Sequence, residues 1–459
     1  MTTGETRTVS SPWDRSPIAA VPVVGADETR AAVAAAADAM RTPPAAYERA
    51  EILDRAAATI RERRQDIARS LAQEIGKPVK QALVEVDRCV QTLTFSAVEA
   101  RTLSGTGVPM DAHPGGVSRR GHTIRVPVGV VAAITPFNFP LNLAAHKVGP
   151  AIAAGCGVVL KPAGVAPLAA IELVRILHEA GLPPASLSIV TGPAAEIGDV
   201  LVADERVRLI TFTGSAEVGW ELAARAPKKR VKLELGNTTP LIVCADADLD
   251  AAAEAAAVSG NGFAGQSCIS VQRVLVDERV HDDFGERLVA AVERLKVGDP
   301  EDADTDVGPL IDDAARERVG EWVDEAVAAG AEQFAGGTAE HGHLRPVVLD
   351  GVPPETRAWR REIFGPFLGL RRFRTLDEAI ELANGTEYGL QAGIFTRDLA
   401  TALTASERLE FGGVTINEAP TFRVDQMPYG GVKESGNTRE GPHHAVREMT
   451  EERMVVIKL

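Results

Sequence analysis

One cysteine has the surroundings of a residue that could do covalent chemistry. Cys268 follows the small residues of Gly265-Gln-Ser and precedes an apolar segment, residues 269–276, that is predicted to be a strand. A thiol in that position is accessible, and its thiolate form would be the nucleophile once a general base or a dipole favours it. A cysteine among apolar residues also serves as a small buried hydrophobe. By itself, Cys268 leaves both interpretations open.

An acidic residue interrupts another apolar strand. Glu234 lies in Val231-Lys-Leu-Glu-Leu-Gly236, where a carboxyl at the strand end would face a cleft. Burial without a partner would raise its pKa, which suits a base that activates a thiol or a hydrolytic water near neutral pH. The alternative is an ion pair between Glu234 and Lys232 or another surface cation.

Two loops that follow apolar strands offer groups for ligands. Asn138, in Thr135-Pro-Phe-Asn-Phe-Pro140, could donate to a developing oxyanion at the sheet edge where open α/β sheets bind ligands. An Asn among prolines is also an ordinary turn residue. Thr211-Phe-Thr-Gly-Ser215 joins a strand to a helix, so helix N–H groups there could hold a pyrophosphate. The sequence lacks a GxGxxG fingerprint, and a plain connection is the alternative.

The predicted elements around these residues alternate between strands and helices. Residues 27–74 predict two long helices separated by Pro43-Pro44, and residues 78–96 predict a third. Residues 103–127 indicate a projecting hairpin. Two alternating series follow, within residues 128–224 and 240–383, which favours two α/β lobes with parallel, doubly wound sheets. The carboxyl-terminal residues 451–459 predict a strand that pairs with another sheet, such as that of a partner subunit.

Composition and charge exclude several function classes. The 459 residues exceed the size of one hydrophobic core, so at least two domains are expected. The net charge of −15 argues against nucleic acid and anionic lipid as partners. No apolar run is long enough to cross a membrane, and residues 1–16 lack a signal-peptide core, so we expect a cytoplasmic protein. The scattered cysteines and histidines predict no metal site.

Together, eight segments in this order resemble the aldehyde dehydrogenase superfamily, from about residue 27 to the end of the chain. They are Pro136-Phe-Asn-Phe-Pro140, Leu160-Lys-Pro162, Phe212-Thr-Gly-Ser215, Leu233-Glu-Leu-Gly236, Gly265-Gln-Ser-Cys268, Glu362-Ile-Phe-Gly-Pro366, Gly413-Val-Thr-Ile-Asn417 and Gly430-Gly-Val-Lys-Glu-Ser-Gly436. The resemblance implies a Rossmann-type cofactor domain (residues 1–104 and 125–235), an α/β catalytic domain (236–433) and a small β oligomerisation arm (105–124 and 434–459).

The same resemblance implies roles for individual residues. Cys268 would attack the aldehyde carbon, Asn138 and the Cys268 N–H would stabilise the oxyanion, and Glu234 would activate the water that hydrolyses the thioester. The cofactor would be NAD or NADP. The implied cofactor-binding residues are Thr135, Pro136, Phe137, Lys161, Gly164, Gly214, Ser215, Glu362 and Phe364. Of these, Lys161 would serve the adenosine ribose, Ser215 the pyrophosphate, and Glu362 with Phe364 the nicotinamide ribose and ring.

The chain also departs from the family pattern. Many NAD-selective members carry a glutamate at the position of Gly164, and its absence leaves NADP open. Asn237, Cys156 and Asn437-Thr438 differ from the usual residues, with consequences that the sequence does not show. Because Glu234 is present, a hydrolytic enzyme fits better than a coenzyme-A-acylating semialdehyde dehydrogenase. A non-catalytic binding relative of the same fold is a further alternative.

The loop after Asn417 carries Arg423, which suits an anionic group on the substrate. His146 and Arg101 are further candidates for the same wall. These residues lead to the hypothesis of a short aldehyde with an oxyanion or hydroxyl group, as in the lactaldehyde, glyceraldehyde-3-phosphate, succinate-semialdehyde and phosphonoacetaldehyde branches. The family resemblance also predicts a homodimer or homotetramer, assembled through the 103–127 hairpin and the carboxyl-terminal strand.

Overall fold

The computed structural model describes residues 4–339 and 342–459. The predicted ranges 1–104 and 236–433 therefore each include residues outside the description, namely 1–3 and 340–341. The elements up to residue 234 are β1 (Thr6–Ser10), β2 (Pro17–Pro22), α1 (Ala26–Ala39), α2 (Ala46–Glu62), α3 (Arg64–Ile75), α4 (Val79–Thr102), β3 (Gly107–Val108), β4 (Arg119–Pro127), β5 (Val130–Ile134), α5 (Asn142–Ala154), β6 (Val158–Lys161), α6 (Leu168–Glu179), β7 (Leu187–Ile189), α7 (Ala194–Ala203), β8 (Val207–Thr213), α8 (Ala216–Arg225) and β9 (Arg230–Glu234).

The second half of the chain continues the alternation. Its elements are β10 (Thr239–Val243), α9 (Leu249–Asn261), β11 (Val271–Asp277), α10 (His281–Glu293), α11 (Asp313–Ala328), β12 (Glu332–Ala335), β13 (Val347–Asp350), α12 (Arg357–Arg360), β14 (Phe367–Phe373), α13 (Leu376–Asn384), β15 (Gln391–Phe395), α14 (Leu399–Arg408), β16 (Gly413–Ile416), α15 (Pro442–Glu448) and β17 (Thr450–Lys458).

Two large sheets form the two lobes. The first has the order β7-β6-β5-β8-β9 and is parallel throughout, and the second has the order β12-β13-β14-β11-β10-β15-β16, with only β12 antiparallel among its described pairs. Every residue of β5 and of β10 is buried, as expected for parallel strands covered by helices on both faces. The predicted α/β fold is confirmed. The carboxyl ends of β5, β8 and β9 carry Asn138, Ser215 and Glu234, while Cys268 lies in the second lobe before β11.

Two details differ from the sequence predictions, and the predicted carboxyl-terminal strand is present. Residues 27–74 form three helices instead of two, because the chain breaks at Arg63, where neither glycine nor proline marks the boundary. A hairpin, β1–β2, precedes them and was not predicted. The strand β17 pairs with β4 of its own chain, antiparallel over its whole length, in a sheet of order β17-β4-β3. The pairing seen for the carboxyl-terminal strand is thus intramolecular.

No helix within residues 4–339 and 342–459 is long and apolar enough to cross a membrane.

A buried ion pair connects α4 to the loop that enters α5. Lys77 and Glu85 are both almost fully buried and are paired with each other. The other carboxylate oxygen of Glu85 accepts hydrogen bonds from the amides of Leu141 (3.0 Å) and Asn142 (3.2 Å), at the start of α5. A carboxylate at a helix N-terminus satisfies amides that have no partner within the helix. Glu85 therefore fixes the end of the loop that carries Asn138.

Replacing Lys77 by methionine should destabilise the protein by about 3–5 kcal/mol, because it leaves the Glu85 carboxylate buried without its cation. Lys80→Met removes the same charge from α4 at a position where the side chain is 41% exposed and pairs with Asp306. That control should change stability by less than about 1 kcal/mol. Urea or thermal unfolding of both variants measures the difference, and equal losses would contradict the role of the Lys77–Glu85 pair.

Candidate active site

A cavity of about 340 Å³ lies between the two lobes and brings several of the predicted residues together. Cys268 and Glu234 line it from opposite lobes, and Arg423 lines it from the loop before residue 430. The cavity is bounded on a further side by α4 and the segment before it, through Lys77 and Arg88. A nucleophile, an acidic group and cations therefore face the same space.

A tight turn places Cys268 at this cavity. Three successive residues adopt left-handed backbone conformations, Phe263 (φ 49°), Ala264 (φ 52°) and Gly265 (φ 70°). A Cβ atom on Gly265 would lie 2.0 Å from the carbonyl oxygen of Gly365, so only glycine fits there. The buried Gln266 side chain fastens the turn, since its oxygen accepts the amide of Ile311 at 2.9 Å. The glycine before Cys268 is thus a requirement of the backbone.

The thiol of Cys268 is half-buried and lies 3.1 Å from the hydroxyl of Tyr429. Burial raises the pKa of Cys268 to about 12, and the hydrogen bond from Tyr429 opposes part of that shift. Nearby Glu362 and Glu234 raise the pKa further. In the nucleotide-free protein the cysteine is therefore a neutral thiol, which must lose its proton before it can attack.

Glu234 is buried at the end of β9, and neither of its carboxyl oxygens has a hydrogen-bond partner within the described chain. Burial raises its pKa well above the usual value, and the carboxylate of Glu440 adds to the effect. The alternative pairing with Lys232 is wrong, because Lys232 bonds Glu448 at 2.9 Å. Glu234 is therefore a buried carboxyl without a partner among the described residues, and its raised pKa suits a general base.

Asn138 is buried beside the cysteine turn. Its side-chain amide donates to the carbonyl oxygen of Gln266 at 3.0 Å, while its own carbonyl oxygen has no partner among the described residues. The amide nitrogen carries two hydrogens, so one remains for a ligand. The bond to Gln266 fixes the orientation of this donor relative to Cys268.

The residues expected to hold a dinucleotide lie at the carboxyl ends of the first sheet's strands. The amide of Thr135, after β5, donates to the carbonyl of Lys161 at 3.1 Å, and the Thr135 hydroxyl is buried without a partner. Gly214 and Ser215 lead into α8, whose first amides receive no side-chain cap from Ser215. An uncapped helix N-terminus at a strand end is an anion site.

The remaining cofactor candidates come from the second lobe. Phe364 has a left-handed backbone (φ 51°), and its ring meets that of Phe137 edge-on at 5.8 Å. Glu362 accepts the amide of Asn237 at 3.0 Å, and burial raises its pKa to about 7. With the uncapped helix and the unpartnered Thr135 hydroxyl, these groups fit an extended dinucleotide that spans the two lobes.

The three residues proposed to contact the substrate lie in different surroundings, and only one of them lines the cavity. Arg423 lines the cavity, stacks on the Tyr429 ring at 3.7 Å and pairs with Glu440 at 3.1 Å, while its Nε is buried without an acceptor among the described residues. His146 lies behind Arg423 and is not a wall residue: it bonds Asp425 at 2.9 Å, and burial lowers its pKa. Arg101 does not line the cavity, since its side chain is exposed and pairs with Asp54.

Sequence reasoning missed Arg88, which lines the cavity from α4 and bonds Asp425 at 2.9 Å. Its side chain is 21% exposed, more than that of Arg423. The sequence contains a pattern that could have indicated Arg88. Glu85, Arg88, Thr92 and Ser96 recur every three or four positions along α4, which is the spacing of one helix face. A polar stripe on a buried face indicates a charged neighbourhood or a cavity.

Sequence reasoning also missed Lys147 and Glu440, which are buried and bond each other at 3.1 Å. Although burial alone would raise the pKa of Glu440, Lys147 and Arg423 lower it to about 2. Glu440 is therefore a fixed negative charge beside the cavity, in contrast to Glu234, whose pKa burial raises.

Comparison with known proteins decides the family. The model of the aldehyde dehydrogenase family matches residues 1–455. The chain belongs to the aldehyde dehydrogenase family. This membership confirms the resemblance inferred from the eight motifs, and with it the expected enzyme class, an NAD(P)-dependent aldehyde dehydrogenase.

Similar proteins cover almost the entire chain. A 3-sulfolactaldehyde dehydrogenase from Priestia aryabhattai is 45% identical over 458 residues, which are 100% of this chain and 96% of the relative. A lactaldehyde dehydrogenase from Methanococcus aeolicus is 38% identical, over 98% of this chain and 96% of the relative. The crystal structure of a glyceraldehyde-3-phosphate dehydrogenase from Methanocaldococcus jannaschii complexed with NADP has a TM-score of 0.95 and 39% identity, and the match covers 99% of this chain and 100% of that one.

The structure accounts for the departures from the family pattern. Asn237 bonds Thr239 and the carbonyl of Gln391 through its amide, so it joins β10 to β15. The side chain of Asn437 makes two hydrogen bonds to the backbone of β9: its oxygen accepts the amide of Leu233 (2.9 Å), and its nitrogen donates to the carbonyl of Val231 (3.1 Å). Asn437 thus fastens the strand that ends in Glu234. Cys156 and Thr438 make structural hydrogen bonds, to the Met449 carbonyl and to Glu448.

Alkylation of Cys268 in the nucleotide-free protein should accelerate about 10-fold per pH unit from about pH 7 to about pH 9.5, since the thiolate fraction grows at that rate below a pKa of about 12. Inactivation by iodoacetamide at several pH values measures it. Tyr429→Phe should slow the reaction, because the hydrogen bond to the sulfur opposes the rise in pKa.

Cys268→Ser is the labelling control, since the other cysteines are buried. An alkylation rate that levels off by about pH 9.5 would show a pKa no higher than that of an unperturbed thiol, about 8.5, and would contradict the effect of burial.

Proposed function

We propose that this aldehyde dehydrogenase converts a short aldehyde bearing an oxyanion into its carboxylic acid, through a thioester on Cys268 that Glu234 hydrolyses. The observation that carries the proposal is the composition of one cavity, in which an accessible cysteine, an unpartnered buried carboxyl and two arginines face the same volume.

The first half of the reaction is addition and oxidation. The sulfur of Cys268, once deprotonated, bonds the aldehyde carbon, and the carbonyl oxygen becomes an alkoxide. The free hydrogen of the Asn138 amide and the Cys268 amide stabilise that charge. When bound, NAD or NADP accepts the hydride that leaves this carbon. The product is a thioester of Cys268.

The second half is hydrolysis. Glu234 removes a proton from water, the hydroxide adds to the thioester, and the carbon–sulfur bond breaks to give the acid and the cysteine. A base with a raised pKa suits this step, because it holds the proton near neutral pH and returns it to the leaving sulfur. Burial and the fixed charge of Glu440 supply that raised pKa in this protein.

The cavity also supports the anionic substrate. The Nε–H of Arg423 is buried and unused within the described residues, and a buried donor without an acceptor costs free energy that a ligand oxygen recovers. Arg88 is the more exposed cation on the neighbouring wall. A relative named for 3-sulfolactaldehyde, whose sulfonate is an anion, agrees with this substrate class. A relative named for lactaldehyde, which carries a neutral hydroxyl, agrees with the hydroxylated alternative expected from the sequence.

We further propose a homo-oligomer that forms through the sheet β17-β4-β3. The strand β17 is at its edge, and Met454, Val456, Ile457 and Leu459 expose large apolar areas there. An exposed edge with apolar side chains favours association with another chain. The dimeric or tetrameric state stays a prediction. The cytoplasmic location expected from the sequence also stays a prediction.

Glu234→Gln should leave a burst of about one reduced nicotinamide per site and lower the steady-state rate by roughly 10²–10⁴-fold, because it removes the general base of the hydrolytic half alone. Stopped-flow absorbance of the nicotinamide measures both phases. Glu332→Gln, at an exposed carboxyl of β12, is the control and should behave as the wild type.

Two outcomes would contradict the hydrolytic mechanism. An oxidation rate that depends strictly on added coenzyme A would favour the acylating alternative. The absence of any nicotinamide signal from the wild-type protein, across a panel of aldehydes with both cofactors, would favour a non-catalytic relative.

Arg88→Gln should lower kcat/KM for anionic short aldehydes by roughly 10-fold or more, mainly through KM, and change that for neutral aldehydes little, because it removes a charge-assisted hydrogen bond to the substrate. Arg101→Gln removes the same charge from the same helix at an exposed position, and should have no effect. Steady-state kinetics with both substrate classes measures the contrast. An equal loss for neutral and anionic aldehydes would contradict the anion site.

A further inference from the structure

The amino-terminal hairpin β1–β2 is fixed against the first lobe, the one proposed to bind the dinucleotide and called here the cofactor lobe. The amide of Val24 donates to the carbonyl of Thr191 at 2.7 Å, and the Thr191 hydroxyl donates to the carbonyl of Pro22 at 2.5 Å. Val9 and Val21 are buried beneath the hairpin, with 3% and 4% of their surface exposed. Arg7 pairs with Val21 across the hairpin and lies two residues from Val9, so its side chain is on the same face, which is turned toward the body of the protein. The hairpin therefore holds the side chains of this face in a defined position.

One of those side chains, Arg7, lies directly against Gly164. A Cβ atom built on Gly164 would stand 2.3 Å from Nη1 of Arg7, and nothing else lies comparably close to it. The guanidinium thus fills the space into which a side chain at position 164 would project. This is the position at which a glutamate, in many NAD-selective members of the family, would bond the ribose and repel a 2′-phosphate.

A second cation lies at the same place. Lys161 is 6% exposed, and its ammonium reaches only the carbonyl of Pro162, at 3.4 Å. Burial lowers the pKa of Lys161, and the charge of Arg7 lowers it further. Within residues 4–339 and 342–459, no carboxylate lies within ion-pair distance of either cation, although Glu5 lines the same groove. Two adjacent cations without a counterion are unfavourable, and an anion between them removes that cost.

We propose that Arg7 and Lys161 together bind the 2′-phosphate of NADP, and that Arg7 thereby makes the enzyme prefer NADP to NAD. The inference rests on the proposed dinucleotide site, in which Lys161 serves the adenosine ribose. A phosphomonoester matches the planar fork of a guanidinium better than a ribose hydroxyl does, since it accepts two charge-assisted hydrogen bonds. NAD lacks that group, so Arg7 contributes selectively to NADP.

Equilibrium binding tests the proposal without catalysis. NADPH and NADH are titrated into the purified full-length protein and followed by nicotinamide fluorescence, with 2′,5′-ADP and 5′-AMP as displacing ligands. Arg7→Gln should raise the Kd for NADPH and for 2′,5′-ADP about 10-fold or more. The Kd for NADH and 5′-AMP should change by less than about twofold.

Two further variants make the result specific. Arg15→Gln removes the same charge from the turn of the same hairpin, where Arg15 is exposed and pairs with Asp313 at 2.8 Å, and should leave both constants unchanged. Gly164→Glu places a carboxylate beside Arg7 and should reproduce the selective loss of NADPH. Because Gly164→Glu leaves Arg7 in place, the same loss in this variant would show that the effect of Arg7→Gln does not come from a general disturbance of the hairpin.

The outcomes separate this proposal from the proposed function. If Arg7→Gln leaves the ratio of the two Kd values within about twofold of the wild-type ratio, Arg7 does not select the cofactor. Wild-type protein that binds NADH and not NADPH also overturns the proposal, while aldehyde oxidation with NAD stands. Wild-type protein that binds neither nucleotide overturns the proposed function as well.

Discussion

The cost of burying a carboxylate without a partner governs how the cavity is built. Around it, Glu85 is held by Lys77 and by the first amides of α5, Asp425 by Arg88 and His146, and Glu440 by Lys147 and Arg423. Such partners offset most of the desolvation of a buried charge. Glu234 has none, so its free energy of ionisation is high. That contrast makes Glu234 the one among these carboxyls whose pKa is clearly raised by burial, as a general base requires.

The paired groups do more than balance charge, because they fix the geometry that the reaction needs. Glu85 holds the entry to α5 and thus the loop of Asn138, whose amide is in turn oriented by the turn before Cys268. Glu440 holds Arg423 against the ring of Tyr429, whose hydroxyl reaches the sulfur. Each contact belongs to a buried network, in which loss of one partner costs more than the pair contributes. Preorganised donors of this kind lower the barrier without rearrangement during the reaction.

The sequence alone could predict the parallel α/β fold and the residues at strand ends, because hydrophobic periodicity and turn residues are local signals. Cys268, Glu234 and Asn138 follow from those signals together with the family motifs. Arg88 and Arg101 show where local reasoning stops. Both are arginines of α4. The spacing of Glu85, Arg88, Thr92 and Ser96 indicates a polar helix face, but only the packing of the helix shows that this face meets the cavity while Arg101 faces the solvent. The choice between β17 pairing with its own chain or a partner is likewise a property of the tertiary fold.

The hairpin that carries Arg7 shows the same limit in the choice of cofactor. The resemblance seen in the sequence begins at about residue 27 and the first motif at Pro136, so no motif includes the hairpin, and its contact with Gly164 appears only after folding. If all charges of the chain acted together, the net charge of −15 would weaken the binding of NADP, the more anionic cofactor, relative to NAD. At physiological salt, however, charges beyond about 8–10 Å are screened. Two cations at the ribose therefore outweigh many distant carboxylates, and a segment outside the catalytic lobe can set which nicotinamide nucleotide the enzyme prefers.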